Sequence, residues 1–354
     1  MTKNTFCASI SIISEKILVQ VSGANATLHE ERTVPDGRTY TEADLKKVFI
    51  DGSSGTTGIR IYERLSARKD IELIRLAESE RKDENARRDA INRSDVSILC
   101  LPDNAARAAA EMADNPETVI IDTSTAHRCS EGWVYGFPEI RDFREKIRNA
   151  RRIANPGCHA SGFIALVAPL VEKGLIERDA VLTSVSLTGY SGGGKKMIAE
   201  YESDGRDPLL DAPRQYGLTQ NHKHLPEMKA VCGLDRAPFF IPVVASFYSG
   251  MEVTVTLPGE YLVDGADART IFDLYREYYT GKAVFAADGA DENGFLSAAA
   301  MSGRDDMQIG VFGNGDRIIL VSRFDNLGKG ASGAAVQNLN IALGADEYEG
   351  LVFE

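Results

Sequence analysis

The 354-residue sequence predicts an α/β protein in two parts, a Rossmann-type dinucleotide-binding domain followed by an α/β catalytic domain with a largely antiparallel sheet. Three observations predict it. A glycine-rich turn follows a short apolar strand near residue 50. Apolar strands then alternate with helical patterns, which indicates a parallel, doubly wound sheet. Several longer strand patterns come after one apolar helix, and they suit a second sheet of different connectivity.

In chain order, residues 1–45 differ from the rest of the chain. "SISIISEKILVQVSG" alternates loosely enough for a strand, and Glu15 and Lys16 interrupt the apolar stretch a signal peptide would need. The segment reads as an appendage whose composition suits disorder. At "KKVFIDGSSGTTGIRIYERLSARKD" the pattern becomes strand, turn and helix, with Gly52, Gly55 and Gly58 at GxxGxxG spacing and an apolar helix face expected at Ile59, Tyr62 and Leu65. Such glycines let the backbone approach a pyrophosphate, which the helix N-terminus stabilises. Ser54, Thr56 and Thr57 in the same turn become cofactor-binding candidates, although three glycines alone can also be only a turn. "IELIRLAESERKD", "DVSILCLPDNAARAAAEMA" and "TVIIDTSTAHR" continue the alternation. Past the second strand lie Ser79, Arg81 and Lys82, a setting that accommodates a ribose 2′-phosphate, with Glu78 and Glu80 beside them. NADP is favoured over NAD.

"ANPGCHASGFIALVAPL" sets Cys158 on a Pro-Gly turn at the start of an apolar helix. Outward-pointing N–H groups and the helix dipole there favour a thiolate. "LTSVSLTGYSGGGKKMIAEYE" runs from a strand into a glycine turn, and "QNHKHLPEM" places His222 and His224 near Glu227. "RFDNLGKGASGAAVQNLNIAL" ends the pattern with a strand, a small-residue turn and a helix from Ala331 to Leu343. Strands are expected at "VLTSVSLT", "FFIPVVASF", "MEVTVTL" and "IILVSRF". The expected division is an N-terminal extension over 1–45, a cofactor domain over 46–157, a catalytic and oligomerisation domain over 158–320, and a C-terminal segment over 321–354 whose helix packs back on the first domain.

Composition narrows the class. A net charge of −12 argues against nucleic-acid binding, which needs a basic surface. No apolar run reaches the roughly 20 residues of a membrane span. Five cysteines without a CxxC pair read as free thiols in a reducing, cytoplasmic setting, and five histidines without paired spacing offer no metal signature.

Taken together, "FIDGSSGTTG", "DTSTAHR", "NPGCHASGF", "GYSGGGKKMIAEYE", "NHKHLPEM" and "NLGKGASGAAVQNLN" resemble the N-acetyl-γ-glutamyl-phosphate reductase family in its shorter form, from about Lys46 to the C-terminus. That family is related in fold and chemistry to aspartate-semialdehyde dehydrogenase. The resemblance implies NADPH-dependent reduction of an acyl phosphate to a semialdehyde and phosphate in arginine biosynthesis, by a homodimer or homotetramer acting on a small molecule. It makes Cys158 the nucleophile and one of His222 and His224 the acid/base. Ser124 and Arg128 become phosphate candidates, Arg214 a candidate for the substrate α-carboxylate, and Asn326 and Gly330 residues closing the cofactor site. His159 departs from the pattern, in which tyrosine commonly follows the cysteine. Aspartate-semialdehyde dehydrogenase is the alternative enzyme, and a dinucleotide-binding redox regulator the alternative outside catalysis.

Overall fold

The computed structural model describes residues 45–353 except Asp264, together with two short strands before them, β1 (Arg32–Thr33) and β2 (Thr39–Tyr40), which pair antiparallel. The strand expected within residues 9–23 lies outside the described residues.

Apolar strands of the first unit form a six-stranded, wholly parallel sheet, in spatial order β4 (Ile71–Ile74), β3 (Lys46–Asp51), β5 (Val96–Leu99), β6 (Val119–Asp122), β8 (Arg152–Ala154) and β7 (Val134–Tyr135). Period-two alternation sends neighbouring side chains of β3 to opposite faces. Val48 and Ile50 pack on one face with Ile61 and Leu65 of α1 (Thr56–Ser66) and Ile147 of α4 (Phe143–Asn149). Phe49 packs on the other with Ile91 of α2 (Glu84–Arg93) and Ala109 of α3 (Asp103–Glu111). In α1 the core position is Ile61 rather than the expected Ile59: Ile61 and Leu65, four residues apart, share the buried face, while Ile59 and Tyr62 are half-buried.

The second unit opens with α5 (Cys158–Glu172), buried from His159 through Leu170. A helix apolar all round belongs inside a core. It lies under a seven-stranded sheet of order β10 (Arg214–Gln215), β11 (Phe239–Ala245), β9 (Thr183–Gly189), β12 (Met251–Pro258), β15 (Arg317–Phe324), β14 (Met307–Gly313) and β13 (Val284–Ala286). The sheet is mixed. Neighbours β9–β12, β12–β15, β14–β15 and β10–β11 run antiparallel, whereas β9–β11 and β13–β14 run parallel. The four expected strands appear as β9, β11, β12 and β15; β10, β13 and β14 were not expected. Helices α7 (Leu225–Cys232) and α8 (Ala268–Tyr278) complete this core, and α6 (Gly194–Glu202) follows the glycine turn after β9.

Packing and ion pairs join the units. The last helix, α9 (Gly333–Leu343), preceded by a wide turn over Gly328–Ser332, places Ala335, Val336 and Leu339 in the same cluster as Val48 and Ile98. Arg64 of α1 forms a 2.7 Å ion pair with the buried Asp305 of the second unit. Because α5 begins just beyond the C-terminal end of β8, its first turn falls where open parallel sheets carry their ligands.

Candidate active site

The β3–α1 turn is shaped for close backbone approach. Gly52 has φ +87°, and a Cβ there would lie 2.3 Å from the Cys100 carbonyl oxygen. A Cβ on Gly58 would meet the Gly52 carbonyl oxygen at 2.4 Å, so only glycine lets α1 start this close to the turn. Gly55 caps α1 without a side-chain hydrogen bond, leaving first-turn N–H groups for an anion. Beside the turn lies a cleft of about 800 Å³ whose lining includes Gly52, Ser54, Tyr62, Arg75, Arg81, Lys82 and Arg87. This cradle suits a dinucleotide. Its cations are not equivalent: Arg87 binds Asp51 at 2.7 Å and Arg81 pairs with Glu78 at 2.7 Å, whereas Arg75 lies over the Tyr62 ring at 5.2 Å. Ser79 is exposed and is not among the lining residues. Arg75 escaped the sequence reasoning, although its place immediately after β4 was the available signal.

A second cavity, about 330 Å³, lies between the units and is lined from both: Thr57 and Thr123 from the first, and Cys158, His159, Tyr216, His222, Lys223, His224, Asn326 and Gly330 from the second. Thr57 brings the start of α1 to the same cavity as the thiol, and Thr56 lies 3.9 Å from where a Cβ on Gly194 would be. Cys158 is the first residue of α5, partly accessible, with its Cβ 2.9 Å from a Cβ built on Gly330.

Behind the thiol is a buried polar knot. Glu227 Oε1 accepts from Arg128 Nη1 at 2.7 Å, while Oε2 accepts from the Tyr135 hydroxyl at 2.7 Å and the Gly157 N–H at 3.1 Å. Arg128 also donates to the carbonyls of Asn155 (2.9 Å) and Thr123 (3.2 Å). A Cβ on Gly157 would stand 2.3 Å from Arg128 Nη1, 2.5 Å from His224 Nε2 and 2.6 Å from Glu227 Oε1. His224 is therefore packed against the residue preceding the thiol. Sequence reasoning named Glu227 only as a neighbour of the histidines and missed Tyr135.

Titration in this setting departs from expectation. Burial pushes the Cys158 thiol up to about 11, outweighing the His159 N–H donated to it and the nearby Arg128 and Lys223 charges. The expected ground-state thiolate is thus reversed: loss of water disfavours the anion by more than the local donors favour it. Burial, then Arg128, holds His224 well below the ordinary histidine range, and burial also lowers His222. Both rings are poised as neutral bases. The His222 Nδ1 accepts the His224 backbone N–H at 3.2 Å, and the buried His224 Nδ1 has no partner among the described residues.

The replacement at 159 has a structural account. His159, buried and held neutral with its acidity shifted to about 3, places Nδ1 2.6 Å from Ser186 Oγ and Nε2 2.7 Å from the Tyr216 hydroxyl. It spans from the sheet floor to a residue of the cavity wall. Other candidates fall differently. Ser124 donates to Asp122 at 2.8 Å and is not among the cavity-lining residues. Arg214 lies outside that lining too, donating to the Tyr201 hydroxyl at 3.1 Å. Asn326 lines the cavity and ties Gly250 to Ser191. Among the described residues, no group of three or more His, Cys, Asp or Glu side chains could hold a metal ion.

Two family models and several known proteins match the chain. Residues 47–150 match the family described as semialdehyde dehydrogenase, NAD binding domain, and residues 158–326 the one described as semialdehyde dehydrogenase, dimerisation domain. A Nostoc sp. protein named N-acetyl-gamma-glutamyl-phosphate reductase 2 is 46% identical over 86% of this chain and 99% of its own. The Rhizobium meliloti N-acetyl-gamma-glutamyl-phosphate reductase is 45% identical over 84% of this chain and 99% of its own. Among solved structures, aspartate semialdehyde dehydrogenase II of Vibrio cholerae shares the fold, with TM-score 0.65 and 18% identity over 84% of this chain and 98% of that one. With its glycine cradle, its thiol at a helix start and relatives of this identity over most of its length, the chain belongs to the N-acetyl-gamma-glutamyl-phosphate reductase family.

Proposed function

We propose that the chain reduces N-acetyl-γ-glutamyl phosphate with NADPH to N-acetylglutamate 5-semialdehyde and phosphate, through a thioester on Cys158. One observation carries the chemistry: the α1 start, the Cys158 thiol and two neutral histidines line one cavity. His224 is the better placed base, since its Nε2 packs against Gly157, the residue before the thiol, whereas His222 holds the His224 backbone.

A thiol shifted to about 11 beside a neutral imidazole starts as an uncharged pair. Its proton passes to His224 as sulfur attacks the acyl carbon. The carbon–oxygen bond to the phosphoryl group then breaks, its electron pair leaves on phosphate, and His224 returns the proton to that phosphate. The Cys158 N–H, in the first turn of α5 and without an intrahelical acceptor, is the donor for the acyl oxygen as its charge builds. When bound, the reduced nicotinamide supplies the hydride to the thioester carbon. Release of the aldehyde breaks the carbon–sulfur bond and restores the Cys158 thiolate, which takes a proton from water.

Gly52, Ser54, Gly55, Thr56, Thr57 and Gly58 would hold the pyrophosphate side of the cofactor, with Lys82 and Arg75 at the ribose end. NADP is supported by these two side chains, for which no acidic partner is found among the described residues. A homo-oligomer is supported by the match to a dimerisation domain and by the outer sheet face, where Phe239 is 59% and Ile319 40% exposed. A cytoplasmic setting is supported by the free thiols of Cys100, Cys129, Cys158 and Cys232. Phosphate-dependent oxidation of N-acetylglutamate semialdehyde with NADP tests the reading. Absence of that reaction, or turnover of aspartate semialdehyde in its place, refutes it.

A further inference from the structure

The proposed reaction brings a phosphoryl group with two negative charges into a cavity whose cations are unequally free. Arg128, the sequence-based phosphate candidate, is committed inside the wall. Its Nη1 is 2.7 Å from Glu227, its other nitrogens donate to two carbonyls, and the two side chains are only 7% and 1% exposed. Seen from the cavity, that pair is close to neutral, and opening it would leave a buried carboxylate without its partner. Lys195 and Lys196 are exposed near the start of α6 and are not among the lining residues. Lys223 differs from all of these. Like Arg128 it lines the cavity, on the turn between His222 and His224, but it is exposed and has no ion-pair partner among the described residues.

We propose that Lys223 is the cation that receives the phosphoryl group of the substrate and holds the phosphate as it leaves. The inference rests on the acyl-phosphate reading above. An ammonium on a flexible stem offers three donors to a tetrahedral anion and can follow the phosphate outward after the carbon–oxygen bond breaks. In the proposed step the electron pair leaves on phosphate and the proton comes from His224. The placement is also electrostatically apt, because the Lys223 charge acts on Cys158 and on both histidines, favouring the thiolate during attack.

The test compares the full-length wild type with Lys223→Met and Lys223→Arg in the phosphate-dependent oxidation of the semialdehyde. Removing the charge should raise the KM for inorganic phosphate about tenfold or more, the ratio carried by one charge-assisted hydrogen bond. The semialdehyde KM should be unmoved, and arginine should restore much of the phosphate affinity. A second arm needs no turnover: inorganic phosphate should slow alkylation of Cys158 by iodoacetamide, followed by peptide mapping, in the wild type and not in Lys223→Met. Unchanged phosphate KM, or full phosphate protection in Lys223→Met, overturns the proposal. If the wild type lacks the oxidation while its phosphate protection depends on Lys223, the anion site stands and the acyl-phosphate reading falls.

Discussion

Replacing Gly157 by alanine puts one methyl group into the most crowded point behind the nucleophile. The new Cβ would lie 2.3 Å from Arg128 Nη1, 2.5 Å from His224 Nε2 and 2.6 Å from Glu227 Oε1. None of these is the loose end of a surface side chain. Glu227 is anchored by Arg128, Tyr135 and the Gly157 N–H itself, so the three cannot retreat independently. Two responses are open. If the knot holds, the Gly157–Cys158 backbone shifts, with an overpacking cost of about 1–3 kcal/mol. If the ion pair opens, the cost is about 3–5 kcal/mol, set by an uncompensated buried charge. Either response moves the thiol relative to His224, and a misplacement of about 1 Å lowers turnover on the order of 100-fold. Steady-state kinetics and thermal unfolding of Gly157→Ala should therefore show a fall in both kcat and Tm. Gly315→Ala is the control, because a Cβ there meets nothing within 4 Å and its φ is not in the left-handed region. That substitution should be neutral or stabilise by about 0.4–1 kcal/mol through the unfolded chain. Wild-type kcat and Tm in Gly157→Ala would refute the argument that the knot positions the thiol.

Two further outcomes concern the same thiol, and a third the cofactor cleft. With its thiol shifted to about 11, ligand-free Cys158 should react with iodoacetamide at a rate rising roughly tenfold per pH unit from neutrality to about pH 10. The sign is that of a group whose neutral form is favoured by burial, and a plateau near neutral pH would contradict it. Cys158→Ser should remove turnover and leave the fold intact by circular dichroism, whereas replacing Cys100, Cys129 or Cys232 should cost stability at most. At the cofactor cleft, direct titration should show tighter binding of NADP than NAD, with Arg75→Ala and Lys82→Ala each narrowing the gap. Equal affinity for the two dinucleotides in the wild type would remove the 2′-phosphate assignment.

What the sequence determines by itself is what depends on neighbouring residues. The GxxGxxG turn, the helix start at Cys158 and the long strands β9, β11, β12 and β15 all express short-range preferences of backbone angle, glycine sterics and period-two patterning. The short strands β10 and β13 carry little such signal, because pairing with longer neighbours sustains them, while in β14, seven residues long, Gly310 and Gly313 interrupt the apolar pattern. Chain separation hides the knot behind the thiol: Arg128 and Glu227 are 99 residues apart, Tyr135 and Glu227 are 92 apart, and no local pattern joins them. The clearest case is Cys158. Its dipole and N–H donors belong to its own helix and were legible, and they favour the thiolate. Its burial comes from residues distant in the chain, Gly330 among them, and it reverses the sign. Desolvation is a sum over everything packed around a group, so only the tertiary structure could decide whether this thiol rests charged or neutral.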